Sequence, residues 1–247
     1  MLETCVNQAA GLQAMAPQVA PRLVGVTSHG QQHGELPLLW GLCSAWVELG
    51  LSVLVLDGHT HESSQNPGLA QWLDDPLSRF NEAEDAVSWS VLPAATGLDR
   101  LTQQVFASAR LGELFQNYAV VLIYANADTM TKLLKGSGLA PLLIVSPLKA
   151  SSLSAYRALK QLLLDARLCP TVANIALSPV ANATMPNTST AHHLQHCAMT
   201  FLGYAIRPIT IVASARADSS RNGINRLALE LLENAVLLER HPVARMH

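Results

Sequence analysis

Continuous apolar runs alternate along this chain with segments whose apolar positions recur every three or four residues. The first run is Leu23-Val24-Gly25-Val26-Thr27, and it ends in the polar loop Ser28-His29-Gly30-Gln31-Gln32-His33-Gly34-Glu35. Leu38, Leu39, Leu42, Cys43, Trp46, Val47 and Leu49 then fall at helical spacing, and Gly50 supplies a helix stop. Ser52-Val53-Leu54-Val55-Leu56-Asp57 is unbroken and apolar, as in a strand buried on both faces of a parallel sheet. Strand, loop, helix and strand in this order form a βαβ unit, whose crossover is right-handed.

The alternation predicts further elements. A polar loop covers 59–67, a short helix 69–73, a strand 88–92, a turn 93–97 and a helix 98–115. Strands are expected at 119–124 and 140–145, then a helix at 152–166 and a strand at 172–177. Residues 178–190, rich in Pro, Asn, Ser and Thr, read as a surface loop. A short helix at 194–202, a short strand at 209–212 and a last helix at 223–240 complete the pattern. The expected fold is therefore α/β: three layers, with a mostly parallel open sheet and helices on both faces. Residues 1–21 read as a leader, 22–240 as a single α/β domain and 241–247 as a tail.

Composition narrows the function. Apolar residues make up 49% of the 247 positions and charged residues 14%, which excludes a disordered chain. Sixteen Lys and Arg against 18 Asp and Glu leave a net charge of −2, so no nucleic-acid partner is expected. Cys5, Cys43, Cys169 and Cys197 are far apart and form no CxxC pair or disulfide framework. Residues 1–20 lack the basic start and apolar core of a secretory signal, and no run of about 18 apolar residues occurs. A cytoplasmic protein is the expectation.

In an open parallel sheet ligands sit at the carboxyl ends of the strands, so the loop at 28–36 is the first candidate site. A phosphate loop needs glycines that let backbone N–H groups approach the anion. It also needs a Lys for the β/γ-phosphates and a Ser or Thr for Mg²⁺. The stretch VGVTSHGQQHGELPLLWGLCSAWVELGLSVLVLDGHTHES resembles the opening of the MinD/ParA family of deviant Walker-A ATPases, whose pattern is strand, K-G-G-x-G-K-[ST], helix, and strand ending in Asp. Three further segments continue the resemblance. VSWSVLPAATGLDRL, from Val87, matches the family's strand, L-P-A-G, turn and helix; YAVVLIYANAD, from Tyr118, matches its Walker-B strand; LLIVSPLKASSLSAY, from Leu142, matches a later strand-turn-helix. The likeness spans roughly residues 22–215 and implies a P-loop NTPase fold.

The departures fall on the chemistry. Gly30 stands at the family's signature Lys, Gln31 and Gln32 at its paired glycines, and Gly34 at the third glycine. Glu35 stands at the phosphate-binding Lys, Leu36 at the Mg²⁺ hydroxyl, His59 at the Asp that positions water, and Tyr124 at the Walker-B Asp. Among these parts Asp57 remains. A unit charge pair at ~4 Å is worth about 4 kcal/mol at an effective dielectric of ~20, so replacing attraction by repulsion at Glu35 costs up to about twice that before solvent relieves it. Phosphoryl transfer rests on positioning and electrostatic stabilisation. The resemblance thus implies a degenerate nucleotide site, with Gly30, Gly34 and Asp57 as its vestige, no catalytic residue, no cofactor and no ATP hydrolysis.

Other features give weaker expectations. His29, His33, His59 and His61 come from two loops that this fold sets side by side, and a metal or pH-sensitive site competes there with a plain solvated loop. His192, His193, His196 and Cys197 form a second cluster without a paired CxxC. Ile224, Leu227, Ala228, Leu231, Ala235 and Leu238 make a stripe on the last helix. Its mixed charges (Arg226 and Arg240 against Glu230, Glu233 and Glu239) favour packing on the protein's own sheet over a membrane. No G-x-S-x-G hydrolase motif occurs.

The function implied by the resemblance is an inactive MinD/ParA-like scaffold or spatial regulator of a bacterial membrane-associated assembly: flagellum, division site, pilus or cellulose secretion. It implies protein partners, as a homodimer or a heterodimer with an active relative, and peripheral contact at the inner membrane or cell pole. The helix after Ser152 and the loop 59–67 form the expected partner face. Two alternatives stand beside it: a divergent ATP/Mg²⁺ switch completed by a partner's arginine, and a histidine-lined metal or small-molecule sensor.

Overall fold

In the computed structural model, residues 20–28, 32–76, 88–103, 108–146, 149–176, 190–212 and 217–238 are described. The strands are β1 (Arg22–Ser28), β2 (Val53–Asp57), β3 (Trp89–Pro93), β4 (Val120–Asn126), β5 (Leu142–Val145), β6 (Thr171–Ala176), β7 (Ile209–Val212) and β8 (Val236–Leu237). They form one eight-stranded sheet in the order β3-β2-β4-β1-β5-β6-β7, with β8 pairing β1. Each pairing along that order is parallel, and β8 alone runs antiparallel. The open parallel sheet expected from the alternating pattern is present.

The helices are α1 (Gln32–Glu48), α2 (Leu69–Asp74), α3 (Ala95–Gln103), α4 (Ser108–Leu114), α5 (Ala127–Leu134), α6 (Lys149–Gln161), α7 (Thr190–Cys197) and α8 (Ala217–Glu233). α6 and α7 each run on into a wider π-type turn, Leu162–Ala166 and Ala198–Leu202. Helices cover both faces because the central strands are apolar on both. In β1, Leu23 packs into the core that holds Trp72, Phe115 and Met130, while Val24 and Val26 pack into the opposite core with Leu42, Trp46 and Leu227. Gly25 faces the first core, where an added Cβ would lie 2.5 Å from the Met130 side chain, so the glycine admits α5 against β1.

The structure corrects two expectations. The turn at 93–97 is the start of a helix, Ala95–Gln103; the helix expected at 98–115 is found over Ala95–Gln103 and Ser108–Leu114, with 104–107 outside the described residues. Gly97 sits inside α3 because a Cβ there would lie 2.6 Å from Leu69 Cβ: the glycine marks a close helix crossing, not a turn. The last helix spans Ala217–Glu233 instead of 223–240, and the chain then forms β8. Arg22 and Leu23 extend below the first paired residue of β5, and Leu237 and Val236 fill that edge. Ala235 and Leu238 therefore leave the helical stripe, while Leu227, Ala228 and Leu231 bury it against the protein's own sheet.

One helix escaped the pattern. α5 begins at Asn126, whose side chain accepts a hydrogen bond from the Thr129 N–H at 2.9 Å. Residues 1–19 of the leader expected at 1–21, most of the 178–190 loop and the tail expected at 241–247 lie outside the described residues.

Candidate functional site

Three strands end where the sequence places its candidate loop. Ser28 closes β1, Asp57 closes β2, and Tyr124 lies beside both, in register with Val26 on one side and Asp57 on the other. Tyr124 points to the face covered by α1, because alternate residues of a strand face opposite sides and its neighbours there are the α1 core residues. Glu35 is in the first turn of α1 and is 0% exposed.

These groups meet. The Tyr124 hydroxyl donates to Glu35 Oε2 at 2.6 Å, and the Ser28 hydroxyl donates to the same oxygen at 2.7 Å. Tyr124 Oη and Ser28 Oγ are 3.4 Å apart. Burial, then the hydrogen bond to Glu35, pushes the Tyr124 phenol well above its usual value, and the Ser28 contact offsets this only in part. The His59 ring packs against Tyr124, centroids 4.8 Å apart and tilted by 58°. Among the described residues His59 Nε2 is buried without a hydrogen-bond partner.

Asp57 is engaged by its own loop. Its Oδ1 accepts from the His59 N–H at 3.0 Å and its Oδ2 from the Thr60 hydroxyl at 2.7 Å. Five residues on, Glu62 reaches the starts of two helices. It accepts from the N–H groups of Thr96 at 2.8 Å and Gly97 at 2.8 Å on α3, and from Ala70 at 3.2 Å on α2. Burial raises the Glu62 pKa, but the N–H groups of Thr96 and Gly97, with its own N–H and the Thr96 hydroxyl, outweigh it and hold the carboxyl below its ordinary value. Helix N-termini favour an anion in this way.

The other sequence candidates are placed as follows. Gly34 lies in the first turn of α1, and Gly30 and His29 lie outside the described residues. Leu36 is exposed, and so is His61. His192, His193 and His196 are exposed on α7, with Cys197 half-buried. Among the described residues no three His, Cys, Asp or Glu side chains come together as a metal site.

The order of strands, β3-β2-β4-β1-β5-β6-β7 with β1 central, decides the fold. The chain has the fold of the MinD/ParA P-loop ATPases. It is similar in structure to a chain of the MinC:MinD cell division protein complex of Aquifex aeolicus, at 15% identity and TM-score 0.56, covering 89% of this chain and 99% of that one. The McdA–ATP complex of Cyanothece matches at 13% identity and TM-score 0.56, covering 90% and 100%. The ParA family ATPase of Chlorobium tepidum matches at 13% identity and TM-score 0.52, covering 85% and 99%. No protein-family model matches the sequence, and no curated protein matches it.

Among the described residues, those that the resemblance sets at the phosphate loop supply neither the cation nor the metal ligand that a nucleotide with Mg²⁺ takes in the family's motif. Glu35, which the resemblance sets at the phosphate-binding cation, is a carboxyl group whose Oε2 already accepts two hydroxyl bonds. The resemblance sets Leu36 at the metal hydroxyl and Tyr124, whose phenol is directed at Glu35, at the Walker-B carboxylate. The sequence exposed each replacement separately. It missed that two of them bond each other, and it missed Ser28 and Glu62 altogether. The sole early signal was the paired loss: a carboxyl at 35 together with a hydroxyl donor at 124.

Proposed function

We propose that the chain is a nucleotide-independent scaffold or spatial regulator built on a MinD/ParA fold. The observation that carries this reading is the Glu35–Tyr124–Ser28 cluster. A fully buried carboxyl bonded by two hydroxyls occupies the place where an ATPase of this fold holds its phosphate cation. A phosphate there would have to displace those bonds and approach an acidic group in a site closed to water. Each change is unfavourable by itself.

The chain then acts through protein partners in a membrane-associated bacterial assembly, and ATP does not switch it. The neighbour in the MinC:MinD complex is itself a protein that assembles with a partner. One surface supports a partner face near that expected from the sequence. On α6 and its π-type extension, Leu153, Arg157, Lys160 and Leu164 are exposed, and their spacing of four, three and four places them on one side of the helix. Among the described residues no helix is long and apolar enough to cross a membrane. Membrane contact in this reading is therefore peripheral or passes through the partner.

The test is calorimetry of MgATP and MgADP against the purified protein, beside a Glu35→Lys, Leu36→Thr double variant. The wild type is expected to show no saturable heat. Micromolar binding by the wild type would overturn the proposal and return the chain to the nucleotide switches.

A further inference from the structure

The histidines of α7 lie apart from the cluster at the strand ends, and the fold gives them a defined arrangement. The underside of α7 is packed: Ala191 is buried, and Leu194 and Ala198 share a core with Ala155 and Leu159 of α6. The Gln195 side-chain N–H donates to the Ile206 carbonyl at 3.0 Å and ties the helix to the approach to β7. An α-helix turns by about 100° per residue, so the residues two before and two after Leu194 point away from the core. These are His192 and His196, and both are exposed.

Residues four apart on a helix stand one above the other, with Cβ atoms about 5–6 Å apart. That separation lets two imidazole rings take one ion, as paired histidines at this spacing do on zinc-binding helices. The surroundings select the ion. Residues 190–206 hold no Asp, Glu, Lys or Arg. No cation of this segment repels a metal, and no carboxylate offers the oxygen ligands that Mg²⁺ and Ca²⁺ take. Imidazole nitrogen suits first-row transition ions. Cys197 is half-buried, and among the described residues no cluster of three His, Cys, Asp or Glu forms. The arrangement is a two-point chelate, with its remaining positions left to water.

We propose that His192 and His196 hold one divalent transition-metal ion, of the class of Ni²⁺ and Zn²⁺, on the exposed face of α7. The helix is already fixed on α6 from below, so the two ligands need little reordering to bind. The ion clips one helical turn and stabilises α7 in the folded chain, where the two rings are held together, over the unfolded chain, where they are not. His193 lies to one side of the pair and is not a ligand. The site is separate from the Glu35–Tyr124–Ser28 cluster and stands whether or not the chain binds nucleotide.

Calorimetry of nickel chloride against the full chain, beside His192→Gln, His196→Gln and His193→Gln, tests the site. All three side chains are exposed, and circular dichroism shows that each variant folds. The wild type is expected to give saturable heat with Ni²⁺ and none with Mg²⁺. His192→Gln and His196→Gln should each weaken that site by roughly tenfold or more, at least what the loss of a ligand's supporting partner costs. His193→Gln should leave it unchanged. Paramagnetic Ni²⁺ should broaden the amide proton signals of residues 191–197, a change lost in the first two variants. A wild type without saturable heat, variants at 192 and 196 that bind as tightly as the wild type, or an equal loss in His193→Gln would each overturn the proposal.

Discussion

Glu35 and Tyr124, 89 positions apart in the chain, meet through a 2.6 Å hydrogen bond at the mouth of the sheet. The family resemblance sets them at the phosphate-binding Lys and the Walker-B Asp. The result is an interaction satisfied within the protein.

That pairing predicts coupled stability. Tyr124→Phe leaves the buried Glu35 short of a donor and should cost about 1–3 kcal/mol. Glu35→Ala should cost a similar amount, because it removes the oxygen that accepts from both buried hydroxyls. Urea unfolding of the double variant should show a loss smaller than the sum, with a coupling of roughly 0.5–3 kcal/mol. Additive losses would mean that the two side chains do not act together.

Alkaline pH should expose the same pair. Burial and Glu35 favour the neutral Tyr124 phenol in the folded state, whereas the unfolded chain ionises near the ordinary value of 10.0. The stability due to this group is therefore complete below pH 10 and declines as pH rises toward the folded value, by up to about 1.4 kcal/mol per pH unit. Tyr118 and Tyr204 are shifted in the same direction, chiefly by burial, and share the decline. Tyr124→Phe should flatten the slope of stability above pH 10 measured by urea titration, and an unchanged slope would show that Tyr124 ionises freely.

Glu62 gives the opposite dependence. Its folded pKa lies below the ordinary 4.5, so its contribution is present at neutral pH and disappears as pH falls through the folded value. Glu62→Gln should destabilise the protein at pH 7 by about 1 kcal/mol, as loss of a charged helix cap does. The gap between variant and wild type should narrow on acidification below pH 4.5. A gap that stays constant would assign Glu62 a packing role in place of an electrostatic one.

Gly68 should resist substitution. An added Cβ would run into the backbone carbonyl of Pro93 and the Glu62 side chain, and the carbonyl cannot rotate away. Gly68→Ala should cost about 1–3 kcal/mol in thermal or urea unfolding. Proton chemical shifts should change at Thr96 and Gly97, whose N–H groups Glu62 holds. A neutral substitution would mean that the 58–68 loop moves independently of α3.

Much of the fold was legible in the sequence because burial periodicity is local. Leu23 to Thr27, Ser52 to Asp57 and Ala119 to Tyr124 read as strands from their own residues, and Leu38 to Leu49 as a helix. The errors arose where a distant group sets the boundary. Gly97 reads as a turn until Leu69 is seen against it, and α3 starts early because Glu62 caps it from another loop. Ala235 and Leu238 continue a helical stripe in the sequence, yet the open lower edge of β1 draws Val236 and Leu237 into the sheet.

The candidate site divides along the same line. Order and spacing of residues alone determined the alternating α/β pattern, the loop after the first strand and the absence of a cation at 35, of a hydroxyl at 36 and of a carboxylate at 124. Tertiary structure alone decided that Glu35, Ser28 and Tyr124 converge, that Asp57 is held by its own loop, and that Glu62 joins two helices. The physical reason is one of range. Periodicity records which side of an element is buried, but a hydrogen bond requires two atoms within about 3 Å. Which atoms come that close is fixed by strand order and register across the sheet.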